Sequence, residues 1–415
     1  MHPFTWLFLV ALAMTMALRL WLAQRHIRFV RENSAEVPAA FAEKIELASH
    51  RKAAAYTVDK TRLHMLDVLV SATLLLVFTL GGGINWLFDT WTGVFEAGGY
   101  AHGIAIIASV VFFTAVVDLP FAVYRSFVIE ERYGFNRMTP RLFVLDLVKQ
   151  TVIGAAIALP LLFVVLWLMQ SMGSYWWLYV WLVWMSFNVL LLVLYPTLIA
   201  PLFNKFTPLA DEILKQRVDA LLARCGFRAR GLFVMDGSRR SSHGNAYFTG
   251  LGTAKRIVFF DTLLERLTPS EIEAVLAHEL GHFKHRHVFK RVALLFLMSF
   301  GFLALLGWLA QQSWFYTGLG VDGQNMALGL LLFSLVLPVF SFLLQPLGSL
   351  YSRKHEYEAD AYAAQQADAS NLVSALVKLY QDNAATLTPD PVHSAFYDSH
   401  PPAALRIARL QSLAH

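Results

Sequence analysis

Seven apolar stretches of about 20 residues run through this chain, and each is long enough to cross a lipid bilayer as a helix. They cover residues 4–23, 65–80, 103–124, 151–169, 176–199, 292–310 and 326–350. The composition agrees, because only 15% of the 415 residues are charged, whereas soluble domains are roughly one quarter charged. The sequence therefore predicts a multi-pass integral membrane protein of mainly α fold class.

The charge pattern and the cysteine content exclude several other classes of protein. The net charge of +5 includes no run of basic residues, so nucleic acid is not expected as a partner. Cys225 is the only cysteine, which excludes an intrachain disulfide scaffold. The first apolar stretch has the Ala-Leu-Ala triplet of a signal peptide at 11–13, but it lacks a basic N-terminal region and the triplet comes early. We therefore expect it to remain as a span.

The distribution of Lys and Arg among the loops predicts the orientation in the membrane. Loops 83–102, 170–175 and 311–325 contain no Lys or Arg, whereas the loops that alternate with them contain many. Positively charged loops stay on the cytoplasmic side. Seven spans with this alternation place the N-terminus outside and the C-terminus in the cytoplasm, together with residues 200–288 and 351–415.

The segment between spans 5 and 6 has the pattern of a small mixed domain. We predict a helix at 210–225 and strands near 232–236, 246–250 and 256–260. A second helix is expected from residue 268, where Thr-Pro-Ser-Glu forms a capping box with proline at the first helical position.

This second helix carries an HExxH motif, in which His278 and His282 lie one turn apart on one face. Two such histidines suit two nitrogen ligands of one tetrahedral zinc ion. Glu279 would lie beside the open metal position, where it can take a proton from bound water. The alternative is a polar patch at lipid headgroups. The helix cap and the mostly apolar residues 273–277, which precede His278, favour a buried helix instead.

A catalytic zinc site needs a third protein ligand, and the best candidate follows span 7. Glu356 and Asp360 share a helix face, so Glu356 could bind the metal while Asp360 orients a ligand histidine. His355 competes as the ligand, although its position one residue earlier directs it away from this face. Three nearby residues are interpreted as solvated or headgroup-level side chains: Glu358, His285 and His287.

Together these motifs resemble the membrane-integral zinc metallopeptidases of the CAAX prenyl protease type 1, or Ste24, family, which belongs to peptidase family M48. The resemblance covers about residues 37–410, nearly the whole chain. Its segments are HELGH at 278–282, SRKHEYEAD at 352–360, RRSSHGNAYF at 239–248, IEERYGFN at 129–136 and SHPP…RI at 399–407.

The resemblance implies a barrel of seven α-helices around a chamber, with one Zn²⁺ ion per chain in a zincin-like α+β domain. It implies a substrate that lies as an added strand along Asn245, Ala246 and Tyr247, where an edge offers main-chain hydrogen bonds to any sequence. It also implies that His400 and Arg406 face the substrate or its oxyanion. The local pattern alone would make His400 and the prolines after it a helix entry.

We therefore expect a zinc-dependent endopeptidase in which Glu279 activates the attacking water. The expected regions are 1–200 with spans 1–5, 201–288 with the HExxH domain, 289–350 with the hairpin of spans 6 and 7, and 351–415 with the third zinc ligand. Two rival classes are weaker. A transporter would place ionisable residues within several spans, and a structural zinc scaffold would need a fourth protein ligand.

The biological substrate is less constrained than the chemistry. The expected partners are the lipid bilayer and a peptide or protein substrate that is prenylated or membrane-embedded. The loops between the spans are short, which favours a bacterial inner membrane. Many bacterial cells have no prenylated CAAX proteins. General quality control of damaged membrane proteins is therefore the alternative to CAAX processing.

Overall fold

In the computed structural model, which describes residues 2–229, 231–249 and 256–413, the protein is mainly helical with one small sheet. Seven helices in this part of the chain are long and apolar enough to cross a membrane, and they coincide with the seven predicted spans. The first 205 residues contain α1 (Pro3–Glu32), α2 (Leu47–Phe78), α3 (Gly83–Thr92), α4 (Tyr100–Tyr124), α5 (Pro140–Ser171), α6 (Trp176–Leu194) and α7 (Ala200–Phe203).

The segment between the fifth and sixth spans contains both strands and helices. It consists of β1 (Phe206–Pro208), α8 (Glu212–Arg224), β2 (Leu232–Met235), β3 (Ala246–Thr249), β4 (Arg256–Phe260), α9 (Asp261–Leu264) and α10 (Pro269–Lys284). The predicted helix and three strands are confirmed, except that residue 250 of the third predicted strand lies outside the described residues. The short strand β1 was not predicted.

The remainder of the chain returns to the membrane and then ends in helices. It contains α11 (His287–Leu309), α12 (Ser313–Thr317), α13 (Met326–Ser341), α14 (Gln345–Gln366), α15 (Ala369–Asp382), α16 (Pro391–Tyr397) and α17 (Ala403–Leu413). The seventh span runs through α13 into α14, so one continuous segment, Met326–Gln366, connects the membrane to the predicted third metal ligand, Glu356.

The membrane helices form a closed ring. Contacts run from α1 to α2, α4, α5, α6, α11 and α13 in turn, and from α13 back to α1. Only 6–28% of the apolar window of each of the first six spans is buried. Such exposed helices fit a wall that faces lipid on one side and an open interior on the other.

A hydrophobic cluster closes the predicted outer end of this ring. It combines α3 and α12 with the ends of the spans, and its fully buried side chains include Ile84, Phe315 and Tyr316. The loops that contain no Lys or Arg therefore pack against the barrel at this end.

The sheet has the order β1-β2-β4-β3, in which β2 and β4 are parallel and the outer pairs are antiparallel. This order leaves β3 at an edge of the sheet. Buried residues of α8, α10, α15 and α17 pack in one core with the sheet, including Val218, Phe259, Leu276 and Leu410. The segments before span 6 and after span 7 therefore share one core.

The motif at 129–136 attaches the barrel to this mixed α/β part. Asn136 forms a bridge with Ser241, and the backbone N–H of Ser242 donates to the carbonyl of Phe135. Arg240 makes a bidentate pair with the buried carboxylate of Asp146 in α5, at 2.8 and 3.1 Å. The segment 240–242, which precedes β3, is thereby attached to the membrane helices.

Candidate metal centre

The N-terminus of α10 fixes the orientation of the HExxH helix. The Thr268 hydroxyl accepts from the backbone N–H of Glu271, and the Glu271 carboxylate accepts from the N–H of Thr268, as the predicted capping box requires. Glu271 also accepts hydrogen bonds from Ser374 and Lys378 at 2.6 and 2.7 Å. The cap therefore anchors α10 to α15 as well as starting the helix.

Close packing between α10 and α14 brings the two ligand-bearing helices together. A Cβ atom at Gly281 would lie only 2.8 Å from the Cα of Ala359, so a larger residue would push the helices apart. The glycine of HELGH thus sets the distance between the histidines of α10 and the carboxylates of α14.

Three donor atoms converge at this contact. Nε2 of His278 lies 3.3 Å from Nε2 of His282 and 3.5 Å from Oε2 of Glu356, and the His282–Glu356 distance is 3.4 Å. Zinc bonds of about 2.0–2.1 Å in a tetrahedral site place ligand atoms roughly 3.3–3.4 Å apart. Oε2 of Glu356 is buried and has no hydrogen-bond partner within the part of the chain that the structure describes. This donor set fits a zinc ion.

The far side of His278 faces a buried ion pair. Its Nδ1 lies 2.8 Å from Asp360, which also binds Arg406 through Nε and Nη2 at 2.9 and 2.6 Å. Burial alone would lower the pKa of His278, but hydrogen bonds to Asp360 and Glu356 raise the pKa of His278 to about 9. These carboxylates thus favour positive charge at the position where a metal would sit.

Arg406 makes its closest contacts with two buried carboxylates. Its guanidinium is buried, and two of its nitrogens are already bound to Asp360, while Nη1 lies 3.7 Å from Glu356. Burial opposes the charge of Arg406, but the neighbouring carboxylates raise its pKa. Arg406 thus supports the buried carboxylates, and it also lines the cavity that contains Glu279 and Glu356.

Two of the residues that were interpreted as solvated or headgroup-level side chains form a second cluster with His355. His287 and Glu358 lie beside the metal centre, with Nδ1 of His287 2.9 Å from Nδ1 of His282 and Nε2 of His287 2.8 Å from Glu358. His355 stacks on His287 with ring centroids 3.9 Å apart. The interpretation of His287 as a headgroup-level side chain was wrong, because α11 starts three residues after α10 ends and turns His287 inward. His285 remains exposed.

The three-donor group opens into a cavity of about 560 Å³. Glu279 lies half-buried on its wall, and His400 is exposed to it with Nε2 3.5 Å from Glu356. Desolvation lowers the pKa of His400, which favours a neutral imidazole. Asn245 and Ala246, at the start of β3, line the same cavity.

The comparisons with known proteins agree with this geometry. A family model described as "CAAX prenyl protease N-terminal, five membrane helices" matches residues 26–205, and one described as "Peptidase family M48" matches residues 208–414. The CAAX prenyl protease 1 homolog of Arabidopsis thaliana is 34% identical over 89% of each chain. The CAAX prenyl protease 1 of Saccharomyces cerevisiae is 38% identical over 72% of this chain and 69% of its own.

A solved structure extends the likeness to the fold. The crystal structure of S. mikatae Ste24p covers 99% of both chains with a TM-score of 0.92 and 31% sequence identity. This chain belongs to the CAAX prenyl protease 1, or Ste24, family. It is therefore a multi-pass integral membrane enzyme, a Ste24-type zinc metalloendopeptidase of peptidase family M48.

The edge strand of this Ste24-family enzyme presents free backbone groups to the cavity. The carbonyl of Asn245 accepts from the N–H of Phe260, whereas the N–H of Ala246 bonds, among the described residues, only to the side-chain oxygen of Asn245. Because hydrogen-bonded pairs alternate in an antiparallel ladder, Tyr247 is paired with β4 and Ala246 faces the free edge. Within the described ranges, the side-chain nitrogen of Asn245 makes no hydrogen bond and can act as a donor.

Sequence reasoning missed a group of Ste24-family residues that hold the start of β3. His243 lies 3.1 Å from the Asn383 side chain and 3.6 Å from Glu130, and Glu130 accepts a hydrogen bond of 2.5 Å from Tyr56. These contacts join α2, the motif at 129–136, the C-terminal end of α15 and the motif at 239–248. Only the quoted motifs at 129–136 and 239–248 pointed to them, because the partners lie far apart in sequence.

Proposed function

We propose that this enzyme removes the C-terminal residues of prenylated CAAX proteins, with His278, His282 and Glu356 as the ligands of one zinc ion per chain. The observation that supports this proposal is the triangle of donor atoms, 3.3–3.5 Å apart, that opens into the same cavity as the edge strand β3. The relatives named CAAX prenyl protease 1 supply the substrate class.

Each residue around the triangle has a distinct proposed task. A bound zinc ion would polarise the scissile carbonyl and lower the pKa of water to about 7. Glu279 accepts the proton of the attacking water and later delivers it to the leaving amine. His400, exposed to the cavity, donates to the charge that develops on the carbonyl oxygen. Asp360 holds the Nδ1 proton of His278 and so leaves its Nε2 for the metal.

The proposed role of Arg406 follows from its contacts. Because Asp360 occupies two of its nitrogens, Arg406 acts mainly through Asp360 and His278. We therefore propose Arg406 as a positioning residue.

Substrate backbone would extend the sheet along β3. Ala246 directs its N–H and carbonyl toward the free edge, where the N–H bonds to the Asn245 side-chain oxygen, and Asn245 offers its side-chain nitrogen to a substrate carbonyl. Tyr247 contributes through the ladder to β4, which keeps the edge straight. This arrangement holds an extended peptide beside the metal whatever its side chains are.

The orientation and the regional division also remain proposals. We propose that 201–288 and 351–415 form the catalytic unit on the cytoplasmic side, below spans 1–5 and the hairpin 289–350. A cysteine introduced into 83–102 should react with an impermeant thiol reagent from outside, and Cys225 should not. The named relatives are eukaryotic, so they lend no support to the expected bacterial inner membrane.

The decisive experiment for the substrate class compares two substrates. The purified enzyme is incubated with a farnesylated CAAX peptide and, separately, with an unfolded polytopic membrane protein. Mass spectrometry should detect release of the C-terminal tripeptide, and the Glu279→Gln variant should release none. Cleavage of the unfolded protein without cleavage of the peptide would overturn CAAX processing and favour the quality-control alternative.

A further inference from the structure

The active-site cavity contains a cation that has no role in the proposed chemistry. Lys60 of α2 lines the cavity that also exposes Glu279, Glu356 and His400. Its side chain is exposed, and its ammonium lies 4.2 Å from the centroid of the Tyr56 ring. Among the described residues, no carboxylate lies within the 4.0 Å of an ion pair from this ammonium. A long cationic side chain without an anionic partner is unusual in a cavity wall, and it suits an anionic ligand.

The charges around Lys60 leave this position net positive. Glu130 and Arg125 are the charged neighbours that act on it. Glu130 is already engaged, because it accepts a hydrogen bond from Tyr56 and lies 3.6 Å from His243. The three formal charges, two positive and one negative, sum to one positive charge. An anion that enters this end of the cavity would therefore meet a cation and the ring of His243.

The position of Lys60 relative to β3 indicates which part of a peptide would reach it. Residues 243–246 line the cavity, and they lead into β3 from its N-terminal side. A substrate strand that adds antiparallel to β3 runs with its C-terminal end toward His243. Lys60, Tyr56 and His243 line this same end, so they face residues that follow the scissile bond.

The dimensions fit a short C-terminal segment. An extended tripeptide spans roughly 10 Å, and the cavity holds about 560 Å³. A cavity of this volume has room for the three residues after the cut bond, and Lys60 lies on its wall.

We propose that Lys60 binds the terminal carboxylate of the substrate. This inference rests on the proposed function, because it concerns substrates cut three residues from a free C-terminus. A charge-assisted hydrogen bond in a partly closed cavity is stronger than one in open water. The membrane helix α2 thus selects the chain end, and the mixed α/β part cuts the bond.

The test uses one farnesylated CAAX peptide in two forms, with a free C-terminal carboxylate and with a C-terminal amide. The wild-type enzyme should cleave the acid with a kcat/KM about tenfold or more above that of the amide, the loss expected when a charged hydrogen bond is removed. Lys60→Met should reduce cleavage of the acid by about the same factor and change that of the amide less than twofold. Lys60→Arg should restore most of the preference.

Two controls separate this inference from other causes. Lys52→Met changes another lysine of α2 that does not line the cavity, and it should retain the acid preference. Zinc content of Lys60→Met, measured by mass spectrometry, should equal that of the wild type. The wild-type comparison of acid and amide decides the question even if the variant fails to fold.

The possible failures are distinguishable. Equal cleavage of acid and amide by the wild type would overturn the carboxylate site and leave the proposed function intact. Equal loss of both activities in Lys60→Met with full zinc content would also overturn it. Failure to cleave either peptide would overturn the proposed function and this inference with it.

Discussion

Nδ1 of His282 lies 2.9 Å from Nδ1 of His287, and this contact links the metal centre to a second buried cluster. When Nε2 of His282 faces a metal, its Nδ1 carries the proton and donates it to His287. Nε2 of His287 then donates to Glu358 at 2.8 Å. His278 donates its Nδ1 proton to Asp360 in the same manner. The two histidines of α10 are thus oriented by different partners, one by a carboxylate and the other by an imidazole.

Replacement of His287 should weaken metal binding without changing a predicted ligand. His287→Ala removes the acceptor for His282, and loss of such a partner typically costs about 10–100-fold in metal affinity. Competition with a chromophoric chelator measures this affinity. His287→Gln, which offers an amide oxygen, should recover part of it, and His285→Ala should match the wild type. Unchanged affinity in His287→Ala would contradict the linkage.

The choice between Glu356 and His355 as third ligand gives a matched pair of variants. Glu356→Ala should lose stoichiometric zinc, because its oxygens lie 3.4–3.5 Å from both histidine nitrogens. His355→Ala should keep zinc, since its ring stacks on His287 away from the triangle. Zinc content per chain after gel filtration decides the point. The reverse result would identify His355 as the ligand.

Proline substitutions in β3 test the added-strand geometry. Ala246→Pro removes an N–H that faces the free edge, so it should raise KM or lower kcat for peptides while zinc content stays near the wild-type level. Tyr247→Pro instead removes a donor of the ladder to β4 and should reduce the melting temperature. Unchanged cleavage by a folded, zinc-loaded Ala246→Pro enzyme would exclude strand addition at this edge.

Stability of the enzyme should depend on Glu271 in a predictable direction. Burial alone would raise the pKa of Glu271, but hydrogen bonds from Lys378, Ser374 and Thr268 hold it below its ordinary value. The ionised group therefore stabilises the fold above the unfolded-state pKa of about 4.3, and this contribution is lost as pH falls through the folded-state pKa. Glu271→Gln should cost about 1–2 kcal/mol at pH 7.

Thermal unfolding in detergent checks this expectation. The difference in melting temperature between wild type and Glu271→Gln should be largest at neutral pH and should shrink below about pH 4. Glu265→Gln, at an exposed position on α9's C-terminal side, should behave like the wild type at both pH values. A difference that is constant with pH would show that the carboxylate charge is not the cause.

Features that depend on residues close together in the sequence were predicted correctly. The seven spans follow from the length of apolar stretches, and the start of α10 follows from the Thr268–Glu271 cap. The spacing of His278 and His282 requires only a helix. Glu356 and Asp360 could be paired with them because i and i+4 positions share a face.

Partners distant in sequence were harder to predict. The contact of His287 with Glu358 depends on a reversal at Arg286, which has a positive φ of 56° between α10 and α11. The engagement of Arg406 by Asp360 depends on how α17 packs on α14. In the sequence, Lys60 is one of many lysines in the predicted cytosolic loops, and nothing distinguishes it. Only the folded barrel shows that α2 lies against the active-site cavity.

The central claim is that His278, His282 and Glu356 hold zinc while Glu279 moves the proton, and the Glu279→Gln variant tests it most directly. The measurement pairs zinc content by mass spectrometry with the rate of farnesylated CAAX peptide cleavage. Because general base catalysis contributes roughly 10²–10⁴-fold, kcat should fall at least 100-fold while zinc stays near one per chain. Residual activity above a tenth of the wild-type rate in a zinc-loaded variant would contradict the account.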